Sequence, residues 1–209
     1  MSSQREITWH IVPKNTPKII RHCSKCNRKM PYYCSEKFRA NANQSRVDIW
    51  LIYKCTKCDN TWKLTIYKGM RPHELPAGLF DKFVNNDAAL AWEYAFDRNF
   101  LRQNACVVDY SDVGYTAEAI ETEAVETDGE CDGDFPRVVH IKSRYSFDLK
   151  LRALLAYMLG TSIGQIKRLA DEGAISAGPE IDIMKHKIKG SNLPISVIVR
   201  NHHIYTSSN

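Results

Sequence analysis

Two Cys-x2-Cys pairs, Cys23/Cys26 and Cys55/Cys58, constrain this chain more tightly than any other feature of its sequence. A C-x2-C turn presents two thiolates from one bend of backbone, and two such knuckles complete the four-sulfur shell that a tetrahedral metal takes at about 2.3 Å. The 28 residues between Cys26 and Cys55 must then leave one point and return to it. Their pattern suits a hairpin. From Arg46 to Lys54 the sequence RVDIWLIYK alternates Val47, Ile49, Leu51 and Tyr53 with Arg46, Asp48, Trp50, Ile52 and Lys54, the period of a strand with one apolar face. Glu36 to Ala40, set off by the turn-rich Asn41 to Ser45, reads as its partner, and Trp62, Leu64 and Ile66 mark a third strand.

Residues 1–70 are therefore expected to form a zinc ribbon: a small three-stranded sheet holding structural zinc through Cys23, Cys26, Cys55 and Cys58. Four thiolates leave no open position for water, so a catalytic zinc is disfavoured. Lys25, Lys54 and Lys57 offset the −2 charge of such a site and favour thiolate. The alternative, two redox dithiols, calls for a strand-to-helix junction, whereas both pairs lie among strands. Seven cysteines are an odd number, which argues against a complete disulfide framework. Cys34 does not have knuckle spacing from Cys26 and is expected to be an ordinary thiol. Cys106 reads as core and Cys131 as exposed and inert, while His22 beside Cys23 and the pair His202-His203 are given no ligand role.

The chain has 209 residues, 44% hydrophobic and 25% charged, which fits one large or two small globular domains. No apolar run is long enough to span a bilayer, so a cytoplasmic protein without a membrane is expected. The net charge of +5 conceals segregation: residues 1–102 sum to +9, residues 103–136 to −10 and residues 137–209 to +6. The first 70 residues alone carry +10, which makes a polyanion partner a serious expectation.

Beyond the cysteines, Ala89, Trp92, Phe96 and Phe100 recur at helical spacing, with Asn86 as the expected N-cap, giving a spacer helix that runs to about Arg102 and packs the two ends together. Glu118 to Asp134, with eight acids, reads as a solvated loop that could shield a basic surface. Leu151, Leu154, Leu155, Met158 and Leu159 form a helix ended by Gly160. Ser162 and Gln165 have capping-box spacing for a second helix, with the stripe Ile163, Ile166, Leu169 and Ala170, ended by Gly173. Strand-like pieces follow at Ile181 to Ile183 and Ile195 to Val199. The fold class expected is α+β in three parts: 1–70 zinc ribbon, 71–136 helical spacer plus acidic loop, and 137–209 a small α+β domain.

Two resemblances follow from these residues. The stretches Leu149 to Gly160, Ser162 to Ile175 and Lys187 to Gly190 resemble the small RNA-binding domain named after the fourth ribosomal protein of the small subunit, in which a leucine-rich helix, a second helix opened by Ser and a basic turn before a last strand follow one another. That resemblance implies phosphate contacts from Lys150, Arg152, Lys167 and Arg168 on the helices and Lys185, Lys187 and Lys189 in the turn. The chain departs from it at Ile163-Gly164 and at Ser176-Ala177-Gly178. Trp9, Cys23 to Cys26, Lys37 to Asn43, Asp48 to Cys58 and Thr61-Trp62 resemble a bacterial family known as the domain of unknown function number ten sixty-two, which implies no reaction.

Lys37, Arg39, Arg46, Lys54 and Lys63 are expected to line hairpin faces near Trp50 and Trp62. Cations beside aromatics suit looped or single-stranded RNA, although both tryptophans could equally be core. No Gly-rich phosphate loop, G-x-S-x-G elbow, H-E-x-x-H or kinase set is present. The expectation is a non-enzymatic, zinc-stabilised protein that binds structured RNA such as ribosomal or transfer RNA. The alternative is a zinc-ribbon adaptor whose basic faces meet an acidic protein.

Overall fold

The computed structural model of the chain describes residues 5–43, 45–121, 137–188 and 191–199. It is a mixed α/β protein with two compact units, Lys14–Gly114 and the discontinuous pair Met1–Pro13 plus Tyr115–Asn209. The chain opens with β1 (Arg5–Pro13), which belongs to the discontinuous unit, and completes the whole of the other unit before returning.

The inserted unit contains β2 (Lys18–Cys23), β3 (Arg28–Asn43), β4 (Arg46–Cys55), β5 (Thr61–Met70), a 3-10 turn at Pro72–Glu74, helices α1 (Leu79–Val84), α2 (Ala88–Phe96) and α3 (Arg98–Gln103), and β6 (Val107–Asp109). The strands form one antiparallel sheet in the order β5-β4-β3-β2-β6. The three strands expected from sequence are thus extended to five, because Lys18–Cys23 and Val107–Asp109 pair along the free edge of β3 and β2. The alternation in β4 sets the core face: Val47, Ile49, Leu51, Tyr53 and Cys55 are all buried and meet Tyr32, Cys34, Phe38 and Leu64 from the neighbouring strands. The helices pack on that face. Phe83 of α1 stands edge-on to Phe38 with ring centroids 4.9 Å apart, and the small buried Ala91 and Ala95 let α2 approach the sheet closely.

A bulge in β3 fastens the helices to the sheet. The register steps from Cys34 opposite Tyr53 to Lys37 opposite Ile52, so two extra residues are accommodated and Phe38 keeps the face of Cys34. Glu36 in the bulge has φ of 57°, a left-handed conformation that costs a non-glycine residue energy, and its carboxylate accepts the Trp92 indole N–H at 2.7 Å. Asn86 Oδ1 accepts the Phe38 amide at 2.8 Å. Asn86 is thereby used by the sheet, and Asp87 caps α2 instead, accepting from the Leu90 amide at 2.9 Å. The single helix expected from Ala89 to Arg102 is broken at Asp97, which ends α2 and caps α3 through the amides of Asn99 and Phe100. These helices cover the sheet of their own unit and are not a spacer.

The discontinuous unit continues with β7 (Tyr115–Glu121), β8 (Arg137–Ser143), β9 (Leu149–Lys150), α4 (Leu151–Met158), α5 (Ile163–Asp171), β10 (Ile175–Ala177), β11 (Lys187–Ile188) and β12 (Ser191–Val199). Its main sheet runs β10-β12-β8-β1-β7, and β9 pairs with β11 alone. Only the β1–β8 pair is parallel among the described residues. Trp9, Ile11, Val139, Ile141 and Val197 are buried along it. Ser162 caps α5, accepting the Gln165 amide at 3.1 Å, and Gly160 and Gly173 follow the two helices with φ of 60° and 72°, where a side chain would be strained. Ile166 and Leu169 are buried as the stripe requires, whereas Ile163 is 45% exposed.

Three expectations change here. Ile181–Ile183 is a turn rather than a strand, with Asp182 accepting the Met184 amide at 2.9 Å. The acidic run begins as strand β7, and its remainder at 122–134, with Cys131, lies outside the described residues, as do Lys189, His202 and His203. The unit boundaries fall at Pro13/Lys14 and Gly114/Tyr115 rather than after residues 70 and 136. The reason is that β1 lies between β7 and β8, while α1–α3 bury the face of the first sheet. Among the described residues no helix is long and apolar enough to cross a membrane.

Candidate metal centre and basic surfaces

Cys23 ends β2 and Cys55 ends β4, and each is followed by a tight turn that brings its second cysteine back. The residues immediately after the pairs, Asn27 and Asp59, have φ of 50° and 53°. Asn and Asp tolerate the left-handed region better than other side chains, so each knuckle carries the residue type its backbone demands. The Cys55 carbonyl accepts the Asp59 amide at 3.0 Å, and Asn60 Nδ2 donates to Ser24 Oγ at 3.2 Å, joining the second knuckle to the first.

The four sulfurs lie within 4.8 Å of one another, with Cys23 to Cys58 at 3.5 Å and Cys26 to Cys55 at 4.0 Å. A tetrahedron with metal–sulfur bonds of about 2.3 Å has edges of about 3.8 Å, so the donor set fits a single metal ion with little adjustment. Cys23 and Cys55 are fully buried, and Cys26 and Cys58 are partly exposed. The Tyr32 hydroxyl donates to Cys23 and, as the largest influence, holds its thiol well below the ordinary value. Burial first, and then the bond to Cys23, push Tyr32 itself up to about 12. The Arg21 guanidinium lies 4.0 Å from the centre of the Trp62 ring and 5.8 Å from that of Tyr32, and Trp62 also packs against Tyr53 at 5.6 Å, so its ring is part of the core's edge rather than an open surface. Cys34 is buried in the sheet's apolar face, outside this group, and desolvation pushes its thiol up to about 12. Cys106 is half-buried against the same core. His22 is exposed and takes no part in the cluster.

The basic residues named from sequence divide between the two units and between two states. In the discontinuous unit most are already engaged. Arg168 pairs with Glu172 at 2.8 Å, Lys185 with Asp182 at 3.3 Å and Lys187 with Asp148 at 3.1 Å, and Arg152 donates to the Met184 carbonyl at 2.7 Å. Lys150 and Lys167 are exposed. In the inserted unit Arg46 donates to the Gly69 carbonyl at 3.0 Å, but Lys37, Arg39 and Lys54 have no acidic partner among the described residues. Divided by unit, Lys14–Gly114 carries 17 basic and 10 acidic side chains, net +7, leaving −2 for the rest of the chain.

A family model described as a protein of unknown function, DUF1062, matches residues 40–180, about two thirds of the chain. The match includes Cys55 and Cys58 and begins after Cys23 and Cys26. No curated protein and no solved structure matches the chain.

Proposed function

From a chain that belongs to the DUF1062 family, whose description assigns no activity, we propose a non-enzymatic RNA-binding protein stabilised by structural zinc. The observation that carries this reading is the concentration of uncompensated positive charge on the unit that the four cysteines tie together. Zinc is the metal of choice for four thiolates in a closed tetrahedral shell, and binding it there couples to folding because the shell joins two separate turns of one sheet. The zinc-ribbon reading of β2–β5 rests on these paired knuckles. The resemblance of α4, α5 and the following turn to a ribosomal RNA-binding domain adds exposed Lys150 and Lys167 as a secondary basic surface.

The test has two arms. Freshly purified protein should contain one zinc per chain by elemental analysis, and Cys55→Ser should lose it and melt the sheet of the inserted unit while the helices near residues 151–171 persist. Cys34→Ala should keep full zinc content. In the second arm, structured RNA such as transfer RNA should bind at low ionic strength with an affinity that falls steeply as salt rises, because each neutralised phosphate releases a counterion. Zinc-free protein with an intact sheet would overturn the metal reading. Absence of salt-sensitive RNA affinity would overturn the functional one and leave the adaptor for an acidic protein in its place.

A further inference from the structure

We infer that the uncovered face of the inserted sheet is a stacking platform for an unpaired nucleic-acid segment, centred on Trp50. The inference rests on the RNA-binding reading above and assigns it a place and a substrate form.

In an antiparallel sheet, residues directly opposite one another share a face. The register places Arg39, Trp50 and Thr65 in one row, Lys37, Ile52 and Lys63 in the next, and Tyr33, Lys54 and Thr61 in a third. All nine lie on the side opposite Leu51, Tyr53 and Leu64, the side that the helices cover. Lys37, Arg39 and Lys63 are exposed, Tyr33 is 37% exposed, and Trp50, Ile52 and Lys54 are half-buried. Arg39 beside it and Lys37 and Lys63 in the next row therefore flank one indole, with Lys54 one row farther along the same face. The acids near this face already hold hydrogen bonds: Asp48 accepts the Gly69 amide at 2.7 Å, Asp59 accepts the hydroxyl of Tyr33 on the face itself at 3.0 Å, and Glu36 accepts the Trp92 indole N–H.

The state of Trp50 distinguishes a nucleic acid from a purely acidic partner. Its recorded ring partner is the Lys63 ammonium, 4.8 Å from the ring centre, and its indole N–H has no acceptor among the described residues. Trp62, on the neighbouring strand β5 and on the covered side, has Arg21 on its ring instead. A flexible lysine over an aromatic face can swing to a phosphate while a base takes its place, which is how sheet surfaces hold single strands. An acidic peptide would use the cations and leave the indole idle. Tyr33 stands four residues along the sheet from the Trp50 row, about 13 Å away at strand spacing, and offers a second ring on the same face.

The probe is a fluorescein-labelled oligouridylate of twelve nucleotides, followed by anisotropy across a salt series with the full-length zinc-loaded protein. Trp50→Ala should weaken binding about tenfold, and Trp50→Phe should restore most of it. Lys37→Ala with Lys63→Ala should reduce the slope of log affinity against log salt by about 1.4 units, at about 0.7 per lost contact on a single strand. Lys82→Ala, which removes an exposed charge from α1 on the covered side, should leave oligouridylate affinity within twofold. Zinc content checks that each variant is folded. If transfer RNA binds but these face variants leave oligouridylate affinity unchanged, the platform is overturned and the RNA reading stands. If polyglutamate of matched charge binds as tightly as oligouridylate and Trp50→Ala changes neither, the face is an acidic-protein site. If neither RNA binds, both readings fall together.

Discussion

Cys34 sits one cross-strand row from Cys55, yet the two thiols differ in chemistry because of what their side chains meet. Cys55 is at the end of β4 where the knuckle turns, whereas Cys34 is opposite Tyr53 in the apolar interior. The spacing of the pairs was enough to separate them in advance, since two C-x2-C turns bring four thiols together and Cys34 lacks that spacing. What spacing alone did not show is Tyr32, the residue that tunes the site. Its register opposite Cys55 and its bond to Cys23 place a phenol against a sulfur of the cluster. A hydrogen bond donated to a thiolate favours the deprotonated form, so the Cys23 thiol is held well below its ordinary value. The stability it contributes as a thiolate is therefore complete above the ordinary thiol value and is lost as pH falls through the lowered one. Tyr32→Phe should release metal at a higher pH than the wild-type protein in an acid titration read with a zinc indicator. It should also bind zinc about tenfold more weakly in chelator competition, the usual cost of losing such an outer contact. An unchanged release midpoint would show that the hydroxyl is a packing group only.

At the scale of elements, strand β4 was fully legible because a period of two with one apolar face has no competing reading, and every residue assigned to that face is buried. The Ser162 cap was legible for a similar reason: a short side chain three residues before Gln165 has one local use. Helices α2 and α3 were misread because aromatics dominated the count. Trp92 and Phe100 flank the packed face, while the contact is made by Ala91 and Ala95, whose small size permits close approach and leaves little mark on a hydrophobic pattern. The break between them was written in Asp97, which accepts two amides and stops one helix by starting another. Asp97→Ala should destabilise the inserted unit by about 1 kcal/mol, the typical loss of an N-cap, in denaturant unfolding of the zinc-loaded protein. Asp97→Asn should recover most of it. A cost near zero in the alanine variant would mean that α3 is held by Leu101 and its neighbours alone.

Across the whole molecule, the least legible feature was that β1 belongs with strands more than a hundred residues away. Local periodicity identifies a strand but carries no information about its partner, and β1 precedes the cysteines closely enough to be assigned to their sheet. The observed topology makes the inserted unit self-sufficient: its five strands pair only with one another among the described residues, and its helices cover its own core. Its ends also meet, since the Lys14 amide donates to the Gly114 carbonyl at 2.8 Å, and just outside them Pro13 pairs with Tyr115. A fragment spanning 14–114 should therefore fold alone, with one zinc per chain and a dispersed amide spectrum. A fragment spanning 1–70 lacks α1–α3 and β6, leaves Phe38, Leu51 and Leu64 uncovered, and should aggregate or remain unfolded even with zinc. Joining Pro13 to Tyr115 through an Asn-Gly turn should conversely preserve the other sheet, because β1 and β7 are already the arms of an antiparallel pair. If the 14–114 fragment requires the remainder of the chain to take up zinc, the two units are one cooperative fold, and the charge of +7 on the inserted unit does not act as an independent binding module.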